Sequence, residues 1–249
     1  MIFSSFDFLF RFLPLFLILY FICPEKWRNQ CLFAGSLIFY FYGARHSPLY
    51  FVLFLLSIPV NFFIGQLIER KRDAKERSFW LNAGIFYNLF WLILFKYSTF
   101  ITENLNLLLS YTKTGLQFPV IRLSLPLGIS FYTFQAIAYL ADVYRKEIRS
   151  EHSLLRFCTW FSMFTQVTSG PITRYQEIRS QLIRRRFSMD RLETGLSEFT
   201  IGLSLKVLLA NQLGRLWSQV GAIGYESIST PLAWMGIIAF SLQLYFDFY

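Results

Sequence analysis

Of the 249 residues 55% are hydrophobic and the mean hydropathy is +0.42, which sets the chain apart from ordinary soluble proteins and places it in the membrane class. Thirty Phe, fourteen Tyr and six Trp suit lipid-facing and interfacial helix surfaces. The formal charge of +9 gathers in short loops beside apolar segments, so positive-inside topology accounts for it and nucleic-acid binding is not expected.

Eight apolar segments follow one another near 8–22, 29–45, 49–68, 79–97, 123–141, 154–170, 195–213 and 231–249. They predict an all-α fold: a polytopic membrane helical bundle, one domain over residues 1–249, with no soluble domain, repeat or low-complexity linker. Several are shorter than the roughly 20 residues that span a bilayer comfortably, so tilting, local thinning or re-entry is expected. The first segment is interrupted by Arg11 and has no basic stretch before it. Bulky Tyr20, Phe21 and Ile22 stand where small residues would precede a cleavage site, so a cleaved leader and lipidation at Cys23 are not expected.

Arg70, Lys71, Arg72, Lys75 and Arg77 crowd one loop, and Arg145, Lys146, Arg149 and Arg156 another. Arg174, Arg179, Arg184, Arg185, Arg186 and Arg191 fill a third, and Lys26 and Arg28 lie in the first connection. Counting these as cytoplasmic places the N-terminus outside, with the cation-poor 46–48 and 98–118 loops on the same side. Segment 154–170 then has basic loops at both ends, which predicts a re-entrant hairpin turning near Ser169-Gly170-Pro171. The arginine triplet 184–186 reads as a solvated or lipid-headgroup surface. Cys23, Cys31 and Cys158 are odd in number, with no Cys-x-x-Cys spacing and no His cluster, so neither a disulfide framework nor a metal site is expected.

The fifth segment carries the chemistry. Ser130, Thr133, Gln135, Tyr139 and Asp142 interrupt an apolar run, and Gln135, Tyr139 and Asp142 form an i, i+4, i+7 stripe that must face other helices or a wet cavity. Pro126 and Gly128 loosen its start. Asp142 is expected to pair with Arg145 or Arg174, or, with them, to line a cytoplasmic mouth. Arg145 alone could equally snorkel or cap the helix. Lys206, inside an apolar stretch, must snorkel, pair or neutralise, with Glu198 or Asp247 as the partner. Gln243 and Asp247 form another i, i+4 polar face near the end of the last segment, which reaches Tyr249 with no polar exit. His46 and His152 lie in short polar connections and read as solvated.

A family resemblance runs through the same residues. Pro126-x-Gly128-Ile129-Ser130-Phe131-x-Thr133-Phe134-Gln135, then Tyr139-Leu140-x-Asp142-Val143-Tyr144-Arg145, resembles the membrane-bound O-acyltransferases, near their bacterial alginate O-acetyltransferase branch. The opening Met1-Ile2-Phe3-Ser4-Ser5-Phe6-Asp7-Phe8-Leu9-Phe10 is similar to that branch, as are Phe41-Tyr42-Gly43 and Phe95-Lys96-Tyr97. So are Gly170-Pro171-Ile172-x-Arg174-Tyr175, Gly202-x-x-x-Lys206-Val207 and Gln243-x-Tyr245-Phe246-Asp247-Phe248.

The resemblance implies transfer of an acyl group, acetyl in the alginate branch, from a cytoplasmic thioester such as acetyl-coenzyme A to an extracytoplasmic polysaccharide. It also implies a location in the bacterial inner membrane among its lipids, and periplasmic acetylation partners. D-alanylation of teichoic acid is the alternative acceptor chemistry. No bound cofactor is expected. The family's catalytic histidine sits in a Trp-His-Gly motif that neither His46 nor His152 matches, so that histidine is expected to lie beyond Tyr249. The chain is accordingly expected to be the N-terminal half of a longer enzyme, inactive alone. A non-catalytic membrane subunit or a transporter is the rival, although no pair of matching interrupted helices marks inverted repeats. Ser130, Gln135, Tyr139, Asp142, Arg145, Gly170, Pro171, Arg174, Lys206, Gln243 and Asp247 are the candidate substrate-lining residues, with no catalytic residue among them.

Overall fold

The computed structural model describes residues 3–45, 47–111, 117–120, 122–168, 170–185, 187–224 and 227–249. His46, Ser169 and Arg186 lie outside them. Among the described residues the regular structure is helical, without strands: α1 (Leu13–Ile22), α2 (Arg28–Gly43), α3 (Pro48–Arg70), α4 (Ala74–Tyr111), α5 (Ile129–Tyr144), α6 (Leu154–Ser162), α7 (Phe164–Val167), α8 (Tyr175–Ile183), α9 (Met189–Ser204), α10 (Asn211–Ile223) and α11 (Thr230–Phe248). By length and composition α3, α4 and α11 can each cross a membrane, as expected of an all-α membrane bundle. Contacts divide the chain into two compact units, residues 16–185 and residues 3–15 with 187–249 in the described part.

In the first unit, α5 packs against α3 and α4, and α6 packs against α2 and α3. Small residues permit the close approach: a Cβ on Gly65 would lie 2.7 Å from the Tyr139 ring, and one on Gly84 would lie 2.5 Å from Leu140. Between α3 and α4, Asn61 and Asn88 exchange amide hydrogen bonds at 3.2 and 2.7 Å, and each also donates to a carbonyl one turn back in its own helix. Both are buried, so the reciprocal pair satisfies groups that would otherwise be stranded away from water.

Helix α4 runs well beyond the apolar segment 79–97. No Gly or Pro follows until after Tyr111, and Thr102, Asn104 and Ser110 satisfy their polar ends on carbonyls of the preceding turn. The polarity that reads as a loop after 97 is therefore carried on a helix. Segment 154–170 is two short pieces broken at Met163: nine residues of α6, rising about 13 Å, and the single turn α7. Helix α8, polar on much of its surface, follows where the sequence reads as a charged loop.

In the second unit the helix is continuous from Met189 to Ile223, with a wide π turn at Leu205–Ala210 joining α9 to α10. It packs along α11: Trp217 lies against Phe240 with centroids 5.0 Å apart, and a Cβ on Gly236 would meet Val220 at 2.8 Å. Tyr249 follows α11 directly, donating its N–H to the Tyr245 carbonyl at 2.9 Å and stacking on the Tyr245 ring with centroids 5.5 Å apart.

Candidate functional site

The start of α5 is fixed by two glycines. Gly128 adopts φ +69°, the left-handed region, and a Cβ there would lie 1.8 Å from the Val167 carbonyl oxygen. A Cβ on Gly170 would lie 1.9 Å from the Thr165 oxygen. The backbone around α7 thus lies directly against the opening of α5, and Tyr40 donates to the Leu127 carbonyl at 2.9 Å to hold it there. Pro126 is buried at this junction, and Leu127, Gly128 and Gly170 are half-buried. Pro171 follows in irregular structure and is exposed.

From this start α5 carries its polar stripe inward. Gln135, Tyr139 and Asp142 are all buried, whereas Ser130 is half-buried in the first turn. Gln135 donates weakly to the Trp160 carbonyl and to the Gln166 amide oxygen, both at 3.4 Å. The stripe therefore faces the broken segment α6–α7.

At its C-terminus α5 ends in a Schellman arrangement: Glu147 N–H donates to Asp142 O at 3.0 Å and Lys146 N–H to Val143 O at 3.1 Å. The left-handed position is occupied by Lys146 at φ +63° rather than by glycine. Arg77 caps the same end, donating to the carbonyls of Tyr144 and Val143 and, through Nε, to the last turn of α3 at Ile68. A cation is favourable there because two helix C-termini converge on it.

The turn sends residues 148–153 back over the bundle, and Glu151 becomes its anchor. This carboxylate is 1% exposed. Its Oε1 accepts from Ser153 N–H at 2.7 Å and from Arg156 Nη2 and Nε at 2.6 and 3.1 Å, while Oε2 accepts from the Tyr175 hydroxyl. Its own N–H donates to the Tyr139 hydroxyl at 2.9 Å. Burial alone would raise the Glu151 carboxyl, but the Arg156 and Tyr175 donors overturn that and hold it below the ordinary glutamate value. Burial, reinforced by the Glu151 anion, pushes the Tyr175 hydroxyl up, so it stays protonated and keeps donating. Tyr139, Trp160 and Tyr175 close the arrangement as an aromatic cluster with centroids 5.2–5.6 Å apart. Beside it, Glu69 accepts from the Ser150 N–H at 3.1 Å and from its hydroxyl, with His152 Nε2 at 3.7 Å.

The expected pairing of Asp142 with Arg145 or Arg174 does not form. Both guanidiniums turn instead to Glu147, at 4.0 and 3.7 Å, because the Schellman turn lifts that carboxylate to the exposed surface while Asp142 stays buried under the helix end. Asp142, Arg145 and Arg174 still share one neighbourhood. Glu69, Glu151 and Arg156 were not among the sequence candidates: Glu151 lies in a run of five consecutive polar or charged positions, Arg156 counts with the cations of the same loop, Glu69 lies near the end of α3, and only Ser153 ahead of an apolar run signals the N-cap that turns the loop inward.

In the second unit Lys206 pairs with Asp247 at 2.5 Å, the structural pairing expected of it, with Glu198 left aside. Gln243, one turn before Asp247, packs on Gly214, where a Cβ would lie 3.0 Å from its amide. Asn211, Arg215, Ser218 and Gln219 line an open polar groove beside it, and the Gln243 amide oxygen is buried without a donor.

No family model matches the chain, and no solved structure does. It is similar to the probable alginate O-acetylase of Pseudomonas aeruginosa, 36% identical over 254 residues covering 100% of this chain and 47% of that protein. It is also similar to the probable alginate O-acetylase of Azotobacter vinelandii, at 34% over 250 residues and 49% of that protein. A peptidoglycan O-acetyltransferase of Helicobacter pylori is 30% identical over 281 residues, with 51% of its length covered. The chain spans about half the length of the curated relatives it matches.

Proposed function

We propose that the chain serves an O-acetyltransferase acting on a surface polysaccharide, since over its whole length it is homologous to about half of an alginate O-acetylase, a member of the membrane-bound O-acyltransferase family. The observation that carries this is the match of every segment of the chain, at 36% identity, to a protein of that name. On this reading the chain lies in the bacterial inner membrane with its N-terminus outside and its basic loops in the cytoplasm.

An acyl thioester such as acetyl-coenzyme A approaches from the cytoplasm, and its phosphates compete with Glu147 for Arg145 and Arg174, whose side chains are 64% and 56% exposed. The acceptor hydroxyl attacks the thioester carbonyl, the C–S bond breaks, the thiolate leaves, and a base takes the hydroxyl proton. The resemblance implies that the base is a histidine in a Trp-His-Gly motif, which neither His46 nor His152 matches. The described residues supply the framework: Gly128 and Gly170 set the backbone at the break, and the Glu151 anchor holds the mouth in place. Peptidoglycan is a second acceptor, supported by the Helicobacter pylori relative. In either case the attacking hydroxyl would belong to the polymer itself or to a periplasmic partner protein that then passes the acyl group to the polymer.

Polymer O-acetylation in a strain carrying Asp142→Asn or Lys206→Met, measured by NMR of the purified glycan, tests this. Both substitutions preserve side-chain size and remove the charge of a candidate substrate-lining residue, and each is expected to lower acetylation at least about tenfold at unchanged protein level. Wild-type acetylation in both would remove the proposed roles. Unaltered acetylation after deletion of the whole gene would remove the function.

A further inference from the structure

Two arginines lie on one tyrosine in the first unit. The guanidinium carbons of Arg28 and Arg185 each lie 5.8 Å from the centroid of the Tyr20 ring. One cation on a ring is ordinary, but two bring like charges together and need an anion to offset their repulsion. Glu25, 3.6 Å from Arg28 and with a side chain 79% exposed, is the sole carboxylate paired with either among the described residues. Arg28 Nε is buried and donates to nothing. Arg28 also opens α2, whose first turn holds no acidic residue and has no side-chain cap, so the helix dipole adds to the positive field. Burial, and to a lesser degree Arg28 nearby, pulls the Arg185 guanidinium below its ordinary value.

The ring belongs to an apolar surface. Ile18, Leu19, Phe21 and Ile22 on the same helix are 57%, 54%, 46% and 75% exposed. We propose that Arg28, Arg185 and Tyr20 form a binding site for the phosphate of an anionic phospholipid, with its acyl chains along the exposed face of α1. The planar guanidinium forks suit phosphate oxygens. A zwitterionic headgroup fits poorly, since its ammonium would meet two guanidiniums. Inorganic phosphate shares the chemistry but gains nothing from the apolar face. The site is independent of the acyl-transfer proposal.

The test is native mass spectrometry of the full chain, purified in a neutral detergent and titrated with phosphatidylglycerol, phosphatidylcholine or inorganic phosphate. Wild type should retain phosphatidylglycerol over phosphatidylcholine. Arg28→Gln and Arg185→Gln should each weaken phosphatidylglycerol binding about tenfold, the worth of one charge-assisted contact. Arg184→Gln removes the same charge one residue away and should leave binding within about twofold of wild type. Arg185→Lys keeps the charge without the fork and should fall between. Equal loss in Arg184→Gln and Arg185→Gln would overturn the site in favour of diffuse charge attraction. Displacement of the lipid by equimolar inorganic phosphate would overturn the lipid assignment. Unchanged binding in both ring-contacting variants, with the same elution volume as wild type, would overturn the proposal altogether.

Discussion

Replacing Glu151 by alanine removes the acceptor of four donors at once and leaves the Arg156 guanidinium and the Tyr175 hydroxyl without it. Breaking a buried ion pair by deleting one partner costs about 3–5 kcal/mol. Here the Arg156 side chain is 31% exposed, so water recovers part of its loss and the lower figure, about 3 kcal/mol, applies. At roughly 2–4 °C per kcal/mol for a chain of this size, the thermal midpoint in detergent should fall by about 6–12 °C. Glu151→Gln keeps the shape but loses the charge, so about 2 kcal/mol is expected from weakened charge-assisted bonds. Arg156→Met strands a carboxylate that is 1% exposed, whereas the double variant Glu151→Gln/Arg156→Met strands no charge. A double-mutant cycle should therefore give a coupling of about 2 kcal/mol. A midpoint for Glu151→Ala within about 2 °C of wild type, or strict additivity in the cycle, would refute the assignment of Glu151 as the anchor of the loop.

The same carboxylate sets an acid limit. Its folded pKa is lowered, so its stabilisation is fully present above the ordinary glutamate value of about 4.3 and is lost as pH falls through the lower folded value; a melting series should show this acid limb in wild type and a weakened one in Glu151→Gln. Gly128→Ala should cost at least about 2 kcal/mol, since it combines a left-handed φ with a clash on Val167, whereas Gly202→Ala, with nothing within 4 Å, should be neutral or slightly stabilising in the same melts. Asn88→Leu leaves the Asn61 amide without its cross-helix partner and should destabilise by about 1–2 kcal/mol; the double substitution with Asn61→Leu should recover part of that. His152→Gln should leave polymer acetylation near wild type, and complete loss would make that histidine the candidate base.

Periodicity exposed the α5 stripe because a helix repeats and hydrocarbon penalises polarity: Gln135, Tyr139 and Asp142 could be picked out as buried before any coordinates. Lys206 and Asp247 were legible as a pair for the same reason, being charges in apolar surroundings. Glu151 was not. Its neighbours Arg149, His152 and Ser153 give the composition of a solvated loop, and its burial depends on the direction taken by the chain after Lys146, a matter of one φ angle. The partner of Asp142 was misassigned for a related reason, because spacing along a helix says nothing of a carboxylate that the following turn swings into place. The Asn61–Asn88 pair joins the consecutive helices α3 and α4, and its contact is set by how the two helices pack, which spacing along either one does not show.

The π turn at Leu205–Ala210 amounts to one extra residue accommodated inside a long helix. In an ordinary α-helix each residue rotates the chain by about 100°, so a one-residue deletion elsewhere between Met189 and Ile223 would swing the Asn211–Gln219 face away from Gln243. Removing one residue within the wide turn would instead relax it to α geometry and leave both flanking faces in phase. The helix from Met189 to Ile223 therefore contains a place where its length can change without its register changing, and Lys206, whose charge ties that helix to α11, sits inside it.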